Sequence, residues 1–110
     1  MEVTAVARDI SGSPRKLRLL TAKLPGMNVD QALALLRYVP SPHARAVSKV
    51  VLSAASNAEN NFDLDVDSLV IKRATVDEGR VLKRFRPRSR GRVSPVLKRS
   101  SHIKIVLTDE

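Results

Sequence analysis

The sequence predicts an α+β fold in the order β-α-α-α-β-β, with the last two strands joined by a long basic β-hairpin. Three observations predict it. Period-two alternation at 2–8, 68–76 and 102–108 marks three strands. Apolar residues at helical spacing mark three helices between the first strand and the second. A cationic run separates the second and third strands, and antiparallel pairing is expected of strands joined this way.

The first strand alternates cleanly. Val3, Ala5 and Ala7 fall on one face, with Thr4, Val6 and Arg8 on the other. Residues 9–13 form a turn cluster around Gly12. Ser13-Pro14 then opens a helix, Ser as N-cap and Pro at the first helical position. Leu17, Leu20 and Leu24 make its apolar stripe, and Pro25-Gly26 ends it. Arg15, Lys16, Arg18 and Lys23 occupy the other faces, where the plain reading is a solvated surface. Cations in a first turn oppose the helix dipole, so the first three also hint at an external anion.

Asn28 caps the second helix, whose apolar face is Val29, Ala32, Leu33, Leu36 and Val39 before Pro40. Ser41-Pro42 repeats the cap-plus-Pro start. The third helix, 43–60, carries Val47, Val50, Val51, Ala54 and Ala58 on one face and small residues elsewhere. So little bulk lets it approach a sheet closely, at the centre of the core. Asp63, Asp65 and Asp67 have the spacing that opens a calcium loop. The sixth and twelfth places hold Ser68 and Ala74, where that loop needs Gly and Glu, so a polar surface turn is expected. In the second strand, Leu69, Ile71 and Arg73 are placed on one face, with Val70, Lys72 and Ala74 on the other. In the last, Ile103, Ile105 and Leu107 share a face.

Charge singles out the connection. The chain has 110 residues, one domain's worth, and a formal net charge of +9. Arg80, Lys83, Arg84, Arg86, Arg88, Arg90, Arg92, Lys98 and Arg99 lie in 79–101 with no acid among them. Those nine cations equal the whole excess, since eleven other basic residues match eleven acidic ones. Such asymmetry points to a polyanion, with nucleic acid first and an anionic membrane second.

Arg84, Arg86, Arg88, Arg90 and Arg92 recur at every second residue, the period of an extended strand. The reversal is placed at 89–91, where Gly91 accepts positive φ, leaving arms of 79–88 and 92–101. Each arm would reach roughly 30 Å. Few apolar residues hold such a ribbon, and its cations repel. The isolated protein therefore has two open readings, a ribbon or a disordered basic loop that a polyanion orders. Arg predominates, which suits bidentate phosphate contacts.

Other chemistries are thin. With Tyr38, Phe62 and Phe85 the only aromatics, stacking platforms for single strands are scarce. Cys is absent, so there is no disulfide framework and no thiolate metal site. His43 and His102 read as surface or packing residues. No phosphate loop or nucleophile motif occurs, so no enzyme, cofactor or metal is expected. No signal peptide is read at the N-terminus, and no run approaches the roughly 18 apolar residues of a membrane span. The expected location is the cytoplasm.

The run KRFRPRSRGR at 83–92, followed by LKRSSHI at 97–103, resembles the hairpin signature of the large-subunit ribosomal protein L-twenty-two family. SPRKLRLL at 13–20 resembles that family's first helix, and SNAENN at 56–61 the end of its long helix. The resemblance spans essentially the whole chain. Ser89 is a departure, since bacterial members often carry the equally small Ala there.

The resemblance implies a three-stranded antiparallel sheet backed by three helices, with the hairpin projecting. It implies binding to the large-subunit (23S-type) rRNA and a part in assembly. Arg15, Lys16, Arg18, Arg80, Lys83, Arg84, Arg86, Arg88, Arg90, Arg92, Lys98 and Arg99 would be the rRNA-binding residues. It places the body near the outer mouth of the nascent-chain tunnel. The hairpin would line the constriction with a loop of ribosomal protein L-four. Leu82, Lys83, Arg84, Arg88 and Arg90 would face the nascent polypeptide near the macrolide site. Neither a membrane nor a second copy of the chain is an expected partner. From the residues alone, a basic β-ribbon that binds DNA is the competing reading.

Overall fold

Three strands and three helices follow one another in the order the residue patterns require: β1 (Glu2–Ser11), α1 (Pro14–Thr21), α2 (Val29–Tyr38), α3 (Pro42–Phe62), β2 (Val70–Pro87) and β3 (Val93–Thr108). In this computed structural model the described residues are 2–87, 91 and 93–109, and the side chains of 84–87 and 93–97 are outside the description. The strands form one antiparallel sheet in the order β1-β3-β2, so the last strand is the middle one.

The core lies between one sheet face and the helices. Val3, Ala5, Ile71, Val76, Ile103, Ile105 and Leu107 supply the sheet side. Ala44, Val47, Val50, Val51, Ala54, Ala55 and Ala58 supply the α3 side, and all are buried. Small side chains there bring the helix backbone close to the sheet, as its composition predicts. Leu17 and Leu24 are fully buried beside it; each such burial is worth about 1.5–3 kcal/mol.

The helix starts follow their caps. Ser13 Oγ accepts from the N–H of Lys16 at 3.4 Å, and Ser41 Oγ from that of His43 at 3.2 Å. Asn28 and Gln31 form a reciprocal capping box. Of the acids at 63–67, Asp63 closes α3 in the left-handed region, φ 52°. Asp65 Oδ1 accepts from the N–H of Asp67 at 3.1 Å and caps a single 3-10 turn, Val66–Ser68. These acids serve the local backbone, as a polar surface turn would. Among the described residues no group of three or more His, Asp or Glu could hold a metal ion.

The structure corrects three expectations. First, α1 ends at Thr21, not at Pro25-Gly26; Leu24 still reaches the core from the following turns. Second, 9–13 is not wholly a turn. β1 continues to Ser11 across a bulge, where Arg8 and Asp9 together oppose His102 and Asp9 takes φ 55°. Third, Arg73 is not on the face of Ile71. A bulge between Ile71 and Arg73 shifts the alternation by one, so Ala74 and Val76 follow Ile71 opposite Ile105 and Ile103. Arg73 instead pairs with Val106 on the outer face, beside Glu2. A period-two pattern read straight through a bulge inverts every residue after it.

Candidate nucleic-acid interface

Beyond the end of β1, β2 and β3 continue alone. Pairs from Val81↔Arg99 to Pro87↔Val93 form a two-stranded antiparallel ribbon. Seven pairs at this rise give a ribbon of about 23 Å. The molecule measures 61 Å along its longest axis and 26 and 18 Å along the others. The backbone of the expected hairpin arms is therefore present at 79–87 and 93–101. Within it, Arg84 lies opposite Val96 and Arg86 opposite Ser94. The tip at Ser89, with Arg88, Arg90 and Arg92, lies outside the described residues, as do the side chains of Arg84 and Arg86. Gly91 has φ 75°, the positive value expected of it.

The ribbon leaves the sheet through two bulges that flank Ser100, Ser101 and His102. On one side Gly79 and Arg80 oppose Ser100; on the other Arg8 and Asp9 oppose His102. Each of the three β3 side chains binds backbone at the junction. Ser100 Oγ donates to the carbonyl of Arg80 at 2.7 Å. Ser101 Oγ donates to the carbonyl of Gly12 at 2.9 Å. The N–H of Asp9 donates to Nδ1 of His102 at 3.1 Å. A backbone bond from Gly12 N–H to the carbonyl of Arg99, 3.2 Å, completes the tether.

Two glycines leave room for neighbouring side chains at this junction. A Cβ on Gly79 would lie 2.7 Å from Ser100 Oγ, and one on Gly12 would lie 2.7 Å from Cε1 of His43. Gly12 also has φ 137°, which side chains disfavour. Periodicity and charge do not mark the two serines and His102 as the root of the hairpin. The run SSH at the end of the basic segment is the signal that could identify them. His43 packs against Gly12, in keeping with a packing histidine.

The described cations that the resemblance implies for rRNA fall into two groups. Arg80, Lys98 and Arg99 border a hollow of about 310 Å³ at the hairpin root, together with Ser11 and Ser100. Leu82, at 46% exposure, lies in the same wall, with Lys83 next to it and exposed. On α1, Arg15 and Lys16 are exposed, and the first turn holds no acid. Arg18 differs from them. Its Nε and Nη2 donate to the carbonyl of Val76 at 3.1 and 2.8 Å, tying α1 to the outer edge of β2. The root trio is thus brought together, whereas Arg15 and Lys16 stand on a separate helix. At the opposite end of the sheet from the hairpin, Glu2 forms ion pairs with Lys72 and Arg73. Those two cations, Lys72 first, hold the Glu2 carboxyl below its usual 4.5.

Comparison with known proteins gives the family. Residues 5–108 match the family model described as ribosomal protein L22p/L17e. A "Large ribosomal subunit protein uL22" of Dehalococcoides mccartyi is 51% identical over 109 residues, covering 99% of this chain and all of the relative. The protein of the same name from Macrococcus caseolyticus is 47% identical over 110 residues, the whole of this chain and 89% of the relative. These relatives are structural ribosomal proteins, and the chain is not an enzyme. The chain belongs to the ribosomal protein L22p/L17e family of the large ribosomal subunit.

Proposed function

We propose that the chain binds large-subunit rRNA as a structural component of the cytoplasmic ribosome and assists its assembly. We further propose that its hairpin lines the nascent-chain tunnel. The observation that carries this reading is the projecting ribbon, whose backbone takes Lys83, Arg84, Arg86, Lys98 and Arg99 past the end of β1, while the charges outside 79–101 balance. Charge neutralisation of phosphates, not base reading, is the mechanism. Arg80, Lys98 and Arg99 would grip phosphate at the root, and Lys83, Arg84, Arg86, Arg88, Arg90 and Arg92 along the arms and tip. Arg15 and Lys16 would add a second contact. Arg18 is committed to Val76 and would reach RNA only with whatever donors that bond leaves free.

The finer placement rests on the family. There the ribbon meets a loop of ribosomal protein L-four at the constriction. Leu82, Lys83, Arg84, Arg88 and Arg90 would face the passing peptide near the macrolide site. With the family established, no observation favours the DNA-binding or membrane readings. Among the described residues no helix is long and apolar enough to cross a membrane.

The test is sedimentation of a tagged copy from lysate, followed by deletion of 82–84. Cosedimentation with the large subunit is expected, and a free or DNA-bound pool would overturn the rRNA assignment. Assembled subunits carrying the deletion should show an altered macrolide response. Unchanged sensitivity would remove the tunnel placement alone.

A further inference from the structure

The two edges of the sheet are finished differently. On the β2 edge, the carbonyl of Ile71 accepts from Gly26 N–H at 2.8 Å, and Ile71 N–H donates to the carbonyl of Met27 at 2.8 Å. Arg18 then covers the carbonyl of Val76. The chain thus closes that edge with its own loop and helix. On the β1 edge, among the described residues, no bond from another element reaches 3–7 on the side away from β3. An open edge offers unpaired N–H and C=O groups to any extended chain.

A groove of about 380 Å³ runs along this open edge. Ala5, Val6 and Ala7 all line it, although successive strand residues point to opposite faces. The strand's edge itself is therefore one wall, and Val6 is 50% exposed there. The other wall is one stripe of α3, from Pro42 through Val50 to Ser53. That stripe is about 16 Å long, the span of roughly five strand residues. Arg45 and Lys49, one helical turn apart on the rim, are in no ion pair among the described residues.

We propose that this edge docks an extended acidic segment of another protein, added as a fourth strand beside β1. Its main chain would pair with β1, and its helix-facing side chains, every second residue, would place apolar groups in the groove and a carboxylate opposite Arg45 and Lys49. The apolar floor and strand edge favour a peptide over a phosphodiester, which has neither the amides nor the side chains to use them. The rim charge selects for acid. The site is separate from the hairpin and does not depend on its function.

The test titrates the full ¹⁵N-labelled chain with a capped peptide in which Val and Glu take turns at every second position and Thr fills the positions between, so that one face carries both, at about 0.15 M salt to screen loose attraction. Saturable amide shifts at 3–7 and along 45–53 are expected. The same peptide with alternate amides N-methylated keeps its charge and should lose binding. Reversing both rim charges (Arg45→Glu with Lys49→Glu), in a variant whose thermal unfolding is unchanged, should weaken binding about tenfold. Shifts confined to 79–87 and 93–101, or equal binding of the N-methylated peptide, would overturn the proposal. A dodecamer of oligouridylate that perturbs 3–7 at lower concentration than the peptide would assign the groove to RNA instead.

Discussion

The guanidinium of Arg18 closes on the carbonyl of Val76 through two hydrogen bonds, 3.1 and 2.8 Å, and so joins α1 to the outer edge of β2. A cation for which the family resemblance implies rRNA binding therefore holds the sheet edge.

Arg18→Ala should cost about 1–2 kcal/mol, the range for hydrogen bonds from a charged donor, moderated by exposure. Arg18→Lys should recover only part, because a single ammonium cannot reproduce the fork. Arg15→Ala with Lys16→Ala should leave the melting temperature unchanged and weaken RNA binding. Chemical denaturation and filter binding on the same preparations separate the two effects. If Arg18→Ala melts like wild type, the contact is incidental to stability.

At the hairpin root, Gly12→Ala should destabilise by at least ~1 kcal/mol, since φ 137° and the His43 ring both oppose a side chain. Pairing it with His43→Ala should relieve the steric part and leave the backbone part. Thermal melts of the single and double variants measure this, and full recovery in the double variant would show that φ contributes nothing.

Ser101 is fully buried and donates to Gly12 across the junction. Ser101→Ala should cost about 1 kcal/mol through the missing hydrogen bond. It should also speed amide exchange at Gly12, whose N–H donates to the carbonyl of Arg99 beside it. Exchange of the Gly12 amide, measured by NMR, decides whether Ser101 anchors the hairpin or merely fills space.

Replacing Arg86, Arg88, Arg90 and Arg92 by Ala should leave the melting temperature near wild type, because the core lies in the sheet and helices. RNA affinity should fall, and the dependence of log K on log salt should flatten by about 0.7–0.9 for each phosphate no longer neutralised. A salt slope that does not change would exclude these arginines as phosphate ligands.

Glu2 should titrate below 4.5, held down by Lys72 and then Arg73. A lowered folded value means that its contribution to stability is present above the ordinary carboxyl range. That contribution is lost as pH falls through the lowered value. Carboxyl NMR of the folded chain measures the shift, and Glu2→Gln should flatten this small part of the acid-unfolding profile. The effect stays small because the pair is exposed to solvent.

Local chemistry was legible in the residues. Ser13, Asn28 and Ser41 cap the helices they precede, because a cap needs only a few neighbouring atoms. Ile103, Ile105 and Leu107 share the buried face, because nothing interrupts the alternation of β3 there. The excess charge at 79–101 and its extended period likewise required no tertiary knowledge. What sequence alone determined is thus the set of elements, their order and the cationic connection, since each follows from propensity, period or charge along the chain. Only the tertiary structure decided that β3 is central, that a bulge turns Arg73 away from the core, and that Arg18 spends its donors on Val76. It also decided that Ser100, Ser101 and His102 root the hairpin, and that one sheet edge is covered while the other lies open beside Arg45 and Lys49. Each of these depends on which backbone groups meet across distant segments, and a one-residue slip in pairing reverses them without changing the local pattern.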